Sequence, residues 1–550
     1  MLRRMQFFAG LIVLALLAFS FSSALSAQTR PAGPAAAAPV GDLFRTSDGC
    51  LACHNGMTSP SGEDVSIGFD WRATMMANSA RDPYWQAAVR REVTDHPRAQ
   101  AEIEDECSKC HMPMMRFEAN SSREKGQVFA HLPVGAGDGR NDLLAADGVS
   151  CTVCHQITEQ GLGTRESFVG GFSVDTTVRS GERAIYGPFQ IDAGHTRIMQ
   201  SATGFKQTTS THIQKSEVCA TCHTLITKAL NAEGEAEGEL PEQVPYQEWL
   251  HSSYRDQKSC QDCHMPVVTE PMPITSVLGE PREGMKRHDF RGGNFFMLQM
   301  LGRYRSDLGV QALPQELDLA VRKTRDTLQN DTARVTIESA EVRNGRVEAV
   351  VALTSLVGHK LPSAYPSRRV WLHVSVRDAN GRIIFESGGL DPNGSIRGND
   401  NDADAARFEE HYEEIRSAGQ VQIYESIMLD RNGAVTTGLL TALRYGKDNR
   451  LLPEGFEKRS AGPDIAVHGA ALNDADFTGG SDRVRYSVDA GGGQGPFTVE
   501  AELWYQPIGY RWAENLRRYD TAETNRFVGY YESMASSSGI LLVRGSATAR

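Results

Sequence analysis

All ten cysteines of this 550-residue chain fall into five CxxCH sequences: Cys50-Leu-Ala-Cys53-His54, Cys107-Ser-Lys-Cys110-His111, Cys151-Thr-Val-Cys154-His155, Cys219-Ala-Thr-Cys222-His223 and Cys260-Gln-Asp-Cys263-His264. A two-residue spacer lets two thiols reach the two vinyl groups of one porphyrin, and the histidine that follows is placed to ligate the iron. Structural zinc sites also use CxxC pairs, but nothing in zinc chemistry demands a histidine after every second cysteine. Disulfides are the other use of ten exported cysteines, and they too leave the five histidines unexplained. The pattern predicts five covalent haem c groups, with His54, His111, His155, His223 and His264 as proximal ligands.

Whether such irons carry electrons or bind substrate depends on their sixth ligands. Ten further histidines are available. His131 lies in a loop between the second and third motifs. His195 and His212 both precede the fourth, with His195 the better candidate. His288 sits in Arg287-His288-Asp-Phe-Arg-Gly-Gly-Asn, where two glycines permit close backbone approach, and His359 in Gly358-His359-Lys-Leu-Pro, a turn between two predicted strands. Met76 is a sixth-ligand alternative of higher potential, or else core filling. His96, His251, His373, His411 and His468 carry no local signal.

The elements that must hold these groups change character along the chain. Met1 to Ala27 pairs Arg3 and Arg4 with an apolar run and small residues, as a signal peptide does; an uncleaved anchor is the alternative. Residues 28–41 are an Ala- and Pro-rich linker. Residues 42–308 hold every motif but few aliphatic residues between them, so the expectation is a pentahaem domain of short helices and long loops with the porphyrins as core. Residues 309–332 read as a connecting helix.

Residues 333–550 are strand-rich. Asn344-Gly345, Asn380-Gly381 and Asn432-Gly433 sit at hairpin positions, which suggests an antiparallel, immunoglobulin-like β-sandwich. Asn399-Asp-Asn-Asp-Ala-Asp404 spaces carboxylates as calcium sites do, without the glycine and closing glutamate of an EF-hand, so a solvated acidic loop is the simpler reading. No Gly-x-Ser-x-Gly elbow is present. A net charge of -12 with no basic run gives nucleic-acid binding no electrostatic support.

Asp147-Gly-Val-Ser-Cys151, the repeated Cys-x-x-Cys-His-Met-Pro, and His-Asp-Phe-Arg-Gly-Gly-Asn after the fifth motif give residues 42–294 a resemblance to a known group. It is the multihaem cytochrome c group that includes pentahaem nitrite reductase, octahaem hydroxylamine oxidoreductase and the tetrahaem cytochrome of ammonia oxidisers. Some features also resemble extracellular cytochrome nanowire subunits. The resemblance implies stacked, mostly bis-histidine haems and either electron transfer or reduction of nitrite, hydroxylamine or a related oxyanion. The implied setting is periplasmic or extracellular. The implied partners are redox proteins, a quinol-oxidising membrane complex, or further copies of the chain in a filament. The sequence departs from the nitrite reductases in having no CxxCK motif, and the crosslinking tyrosine of hydroxylamine oxidoreductase has no clear counterpart, so no catalytic residue is transferred.

Overall fold

The computed structural model describes residues 43–550, so the leader and the whole linker lie outside the described residues. Residues 43–331 fold as short helices joined by long loops. Among these helices, Pro83–Asp95 is well determined by its sequence: Pro83 opens it with a pre-set φ, and the Asp82 carboxylate accepts the amides of Tyr84 (2.8 Å) and Trp85 (3.2 Å). Two small sheets interrupt the helices and were not expected from the sequence. Arg183–Gly187 pairs in parallel with Phe205–Thr209, and Leu225–Leu230 pairs antiparallel with Ala236–Gln243 between the fourth and fifth motifs. The connecting helix spans Pro314–Asp331, again with proline at its first turn.

The strands that follow build two main sheets. One runs Ala333–Arg343, Arg346–Ser355, Ser481–Asp489 and Glu414–Ile415, antiparallel except for the last pairing, which is parallel (Arg485 opposite Glu414). Its first hairpin turns at Asn344-Gly345, both at positive φ (50° and 76°), the backbone a two-residue turn with the right twist requires. The other sheet runs Ile423–Tyr424, Arg369–Arg377, Phe497–Gln506 and Ile540–Ala549, with Ile383–Ser387 on the second strand, all antiparallel. The apolar run Val421 to Met428 divides between two strands: Ile423–Tyr424 joins this sheet, and Ser426–Leu429 leaves it for a three-stranded sheet.

The sheets bury alternate residues toward each other. Val347, Ala349, Val351 and Leu353 share one core with Val370, Leu372, Val374 and Val376 and with Val499, Ala501 and Leu503. That core also contains Tyr84 and Ala87 of the Pro83–Asp95 helix and Phe295, Phe296 and Met300 of the helix Phe295–Arg303. The motif-bearing segment and the sheets therefore have no apolar core boundary between them. A second cluster, rich in methionine (Met112, Met114, Met115), packs around the second motif. Among the described residues, no helix is long and apolar enough to cross a membrane.

Candidate haem sites

Each motif is built on a helical turn, and that explains its spacing. Residues i, i+3 and i+4 share one face of a helix, so both cysteines and the histidine of CxxCH point the same way. The amides of His54, His155 and His223 donate to the carbonyls of Cys50, Cys151 and Cys219 (2.9–3.1 Å). His111 ends the helix Gln100–His111, and His264 ends Cys260–His264. Proline 113 then opens a new helix two residues after His111, which turns the chain away from the site.

The proximal rings are oriented by backbone carbonyls. Nδ1–H of His54 donates to Ile274 O (2.6 Å), that of His111 to Ser79 O (3.0 Å), that of His155 to Tyr186 O (2.6 Å) and that of His264 to Arg291 O. Such a bond fixes the tautomer and leaves Nε2 with a free lone pair, the arrangement metal-ligating histidines use. Trp85 stacks on His111 at 4.3 Å with ring planes 4° apart, fixing that ring further. Desolvation pushes His111 and His223 down to about 4 and lowers His54 and His155, so these imidazoles are neutral at neutral pH.

Two other histidines face them. His288 lies parallel to His155, with ring centres 6.4 Å apart and planes 18° apart; His359 lies parallel to His264 at 6.2 Å and 13°. Both new rings follow the proximal rule, Nδ1–H donating to Lys286 O (3.1 Å) and Lys360 O (2.9 Å). Two metal–nitrogen bonds of about 2 Å, each extended by about 1 Å from nitrogen to ring centre, give a separation of about 6 Å. The residues present thus fit one iron between each pair. Burial holds His288 down at about 4 and lowers His359 as well.

The segment carrying His288 is clamped on both sides by ion pairs. Arg287 bonds Asp70 of the helix Ile67–Arg72 (2.7 Å), while Asp289 meets Lys323 of Pro314–Asp331 (3.3 Å). Two elements distant in sequence therefore aim this ring.

The remaining candidates divide by which nitrogens are free. The His131 Nδ1–H donates to Asp142 (2.6 Å), and among the described residues its Nε2 has no hydrogen-bond partner. His195 donates from both nitrogens, to Asp192 and to Leu278 O (2.8 Å), which requires the imidazolium; the Asp192 bond accordingly raises its pKa. An imidazolium has no lone pair to give. His212 is likewise occupied, by Ser210 Oγ (2.6 Å) and Ile157 O (2.8 Å). Met76 is half-buried beside the third motif, where its carbonyl accepts Val149 N–H. His96 carries no sequence signal, yet it is buried with both ring nitrogens unpartnered. No second imidazole stacks opposite His54, His111 or His223 among the described residues.

Cysteines of different motifs also meet. Cys50 contacts Cys151, Cys110 contacts Cys222, and Cys219 contacts Cys260, so the first and third sites are neighbours, as are the second and fourth, and the fourth and fifth. None of the ten is bonded to another. Cross-motif disulfides would consume one thiol from most sites and leave the oriented histidines without a purpose.

Two further clusters carry no metal chemistry. The carboxylates of Asn399–Asp404 diverge: Asp402 turns inward to Arg369 (2.8 and 2.9 Å), Asp400 pairs with Arg407, and Asp404 accepts the amide of Ala406. His411, Asp474 and Asp482 do converge in the interior of the sheets. Yet Gln422 and Asn449 both point amide N–H groups at His411 Nδ1 (2.9 and 3.1 Å), their oxygens being held by Tyr412 N and Glu425 N. The proton is therefore on Nε2, donated to Asp474 (3.0 Å), and a cation there would demand an imidazolate.

The fold is similar to that of a penta-heme cytochrome c552 from Thermochromatium tepidum, with a TM-score of 0.53 over 92% of this chain and 99% of that one, at 15% sequence identity. At that identity the likeness is one of fold. No protein-family profile and no curated protein matches the chain.

Proposed function

We propose that this chain is an exported pentahaem c-type cytochrome that moves electrons through closely spaced haems, in the periplasm or at the cell surface. The observation that carries the reading is the pair of parallel imidazoles, His155–His288 and His264–His359, at a separation that suits one iron each. Ten thiols in five i, i+3 pairs supply the covalent attachment, and haem bound there supplies one-electron redox chemistry. The protein's own part is to orient the ten thiols and the motif imidazoles, hold the buried imidazoles neutral and keep neighbouring sites in contact. A c-type cytochrome from Thermochromatium tepidum sharing the fold supports the same reading. Alkaline pyridine haemochrome spectra with protein quantitation test it, with five haems per chain expected. A count near zero, or zinc in its place, overturns it.

A second reading has one observation in its favour. Among the described residues, His54, His111 and His223 have no facing imidazole such as His288 and His359 provide for His155 and His264. An iron left five-coordinate would bind nitrite, hydroxylamine or a related small oxyanion, making the chain a multihaem reductase. Carbon monoxide titration of the reduced protein separates the two: a stoichiometric ferrous-carbonyl species supports the reductase, and none supports the pure electron carrier.

A further inference from the structure

Behind the His359 ring lies a network of charges that the haem-ligand geometry does not itself use. Lys360 and Glu248 have no exposed surface, and Asp448 and Arg450 have 2% and 7%. The Lys360 ammonium donates to Asp448 (2.7 Å). Arg450 grips the same carboxylate through Nε (2.9 Å) and Nη2 (2.7 Å) and reaches Glu248 through Nη1 (3.0 Å). The other Glu248 oxygen accepts the backbone N–H of Lys360 (3.1 Å) and the hydroxyl of Ser363 (2.6 Å). Two cations meet two anions, so the group is charge-balanced as well as hydrogen-bonded.

The members come from two parts of the chain. Glu248 belongs to the helix Pro245–Leu250, which lies between the fourth and fifth motifs; the others belong to the sheet segment. The same helical region walls the loop sterically, since a Cβ on Gly358 would stand 3.2 Å from Tyr254 and 3.4 Å from Trp249. The Nδ1 bond of His359 goes to its own neighbour, Lys360 O, and so orients the ring only with respect to its own loop. Something else must fix that loop against His264. The bond from Lys360 N–H to Glu248 does so one residue from the ring.

We propose that Glu248 is the positioning residue for His359, its carboxylate bridging the motif-bearing segment to the loop that presents the sixth ligand of the fifth haem. The inference rests on His359 being that ligand. A buried ion network is rarely the best device for stability alone, because apolar groups of the same volume often do as well; a fixed geometry is what it adds. Neutralising Glu248 alone would leave the network with a net positive charge close to one redox site, where net charge tunes the potential.

The experiment is low-temperature electron paramagnetic resonance and a spectroelectrochemical titration of the haem-loaded full chain, comparing Glu248→Gln, Glu248→Ala and Ser363→Ala with His359→Gly. His359→Gly should turn one ferric haem from low-spin to high-spin. Glu248→Gln should keep all haems as they are in spin state but move one of the five midpoint potentials upward. Glu248→Ala should shift or broaden one low-spin signal or convert it to high-spin, and Ser363→Ala should shift the same signal to a smaller extent. Should Glu248→Ala fail to accumulate, the Gln and Ser363 variants carry the decision. Unchanged g-values and potentials in the Glu248 and Ser363 variants, with His359→Gly opening one haem, overturn the positioning role and leave the ligand reading standing. If His359→Gly opens none, both fall.

Discussion

The decisive residues are histidines whose second nitrogen is already spoken for by a carbonyl. His288 is the sharpest case, aimed at His155 and bracketed by Arg287–Asp70 and Lys323–Asp289. His288→Gly should convert one low-spin ferric haem to high-spin, and added imidazole should restore the low-spin signal; a spectrum unchanged from the parent would remove His288 as a ligand. A buried carboxyl gives a second test at this scale. Glu242, 4% exposed and bonded to Thr227 and Gln243, is pushed up to about 7 by desolvation. Unfolded, a glutamate titrates near 4.3, so between those values the native state holds the extra proton and stability falls as pH rises, staying low above pH 7. Glu242→Gln should therefore stabilise the fold at pH 8 by an amount on the order of 3–4 kcal/mol, read as a higher melting temperature, and leave stability nearly unchanged at pH 4. Of these residues, the ten cysteines and five motif histidines were readable from spacing alone. Which other histidines face them was not, because a free or occupied ring nitrogen depends on partners far away in sequence. His195 shows the difficulty: its position ahead of the fourth motif made it a candidate, and only the fold reveals Asp192 and Leu278 taking both nitrogens.

At the scale of elements, local chemistry was legible wherever a few neighbouring residues decide the backbone. Asn344-Gly345 turns as its sequence demands, and Pro314 starts the connecting helix. The strand Ile540–Ala549 gave no clear signal, since its second half, Arg-Gly-Ser-Ala-Thr-Ala, lacks the large apolar residues of a core strand. It is held by pairing with Phe497–Gln506. The break within Val421 to Met428 was equally invisible, because both pieces are apolar and only the choice of partner strands separates them. The Pro83–Asp95 helix offers a test, since its cap supports the tryptophan stacked on His111. Asp82→Ala should cost about 1 kcal/mol and perturb the spectrum of the second haem, whereas Asp82→Asn, also a good cap, should do neither. Circular dichroism melts and the haem absorption bands provide the readouts.

For the molecule as a whole, the shared core predicts that the sheet segment is not separable. Tyr84, Phe295, Phe296 and Met300 would be stripped from it by a cut near residue 331, exposing apolar surface on both pieces. Limited proteolysis of the native protein should therefore release no stable fragment that begins in the connecting helix, and residues 333–550 expressed alone should be insoluble. A soluble, cooperatively folding fragment would contradict the single core.

The origin of His359 has a bearing on how such a molecule is made. The chain leaves the ribosome, and on the proposed reading crosses the membrane, with Cys260 and Cys263 well ahead of residue 359. Thioether formation at the fifth site can then precede delivery of its opposing imidazole, which waits on the sheets that carry the Gly358–Ser363 loop. Closure of that coordination shell would come late in biogenesis, and a chain truncated before the sheets would lack the imidazole that faces His264.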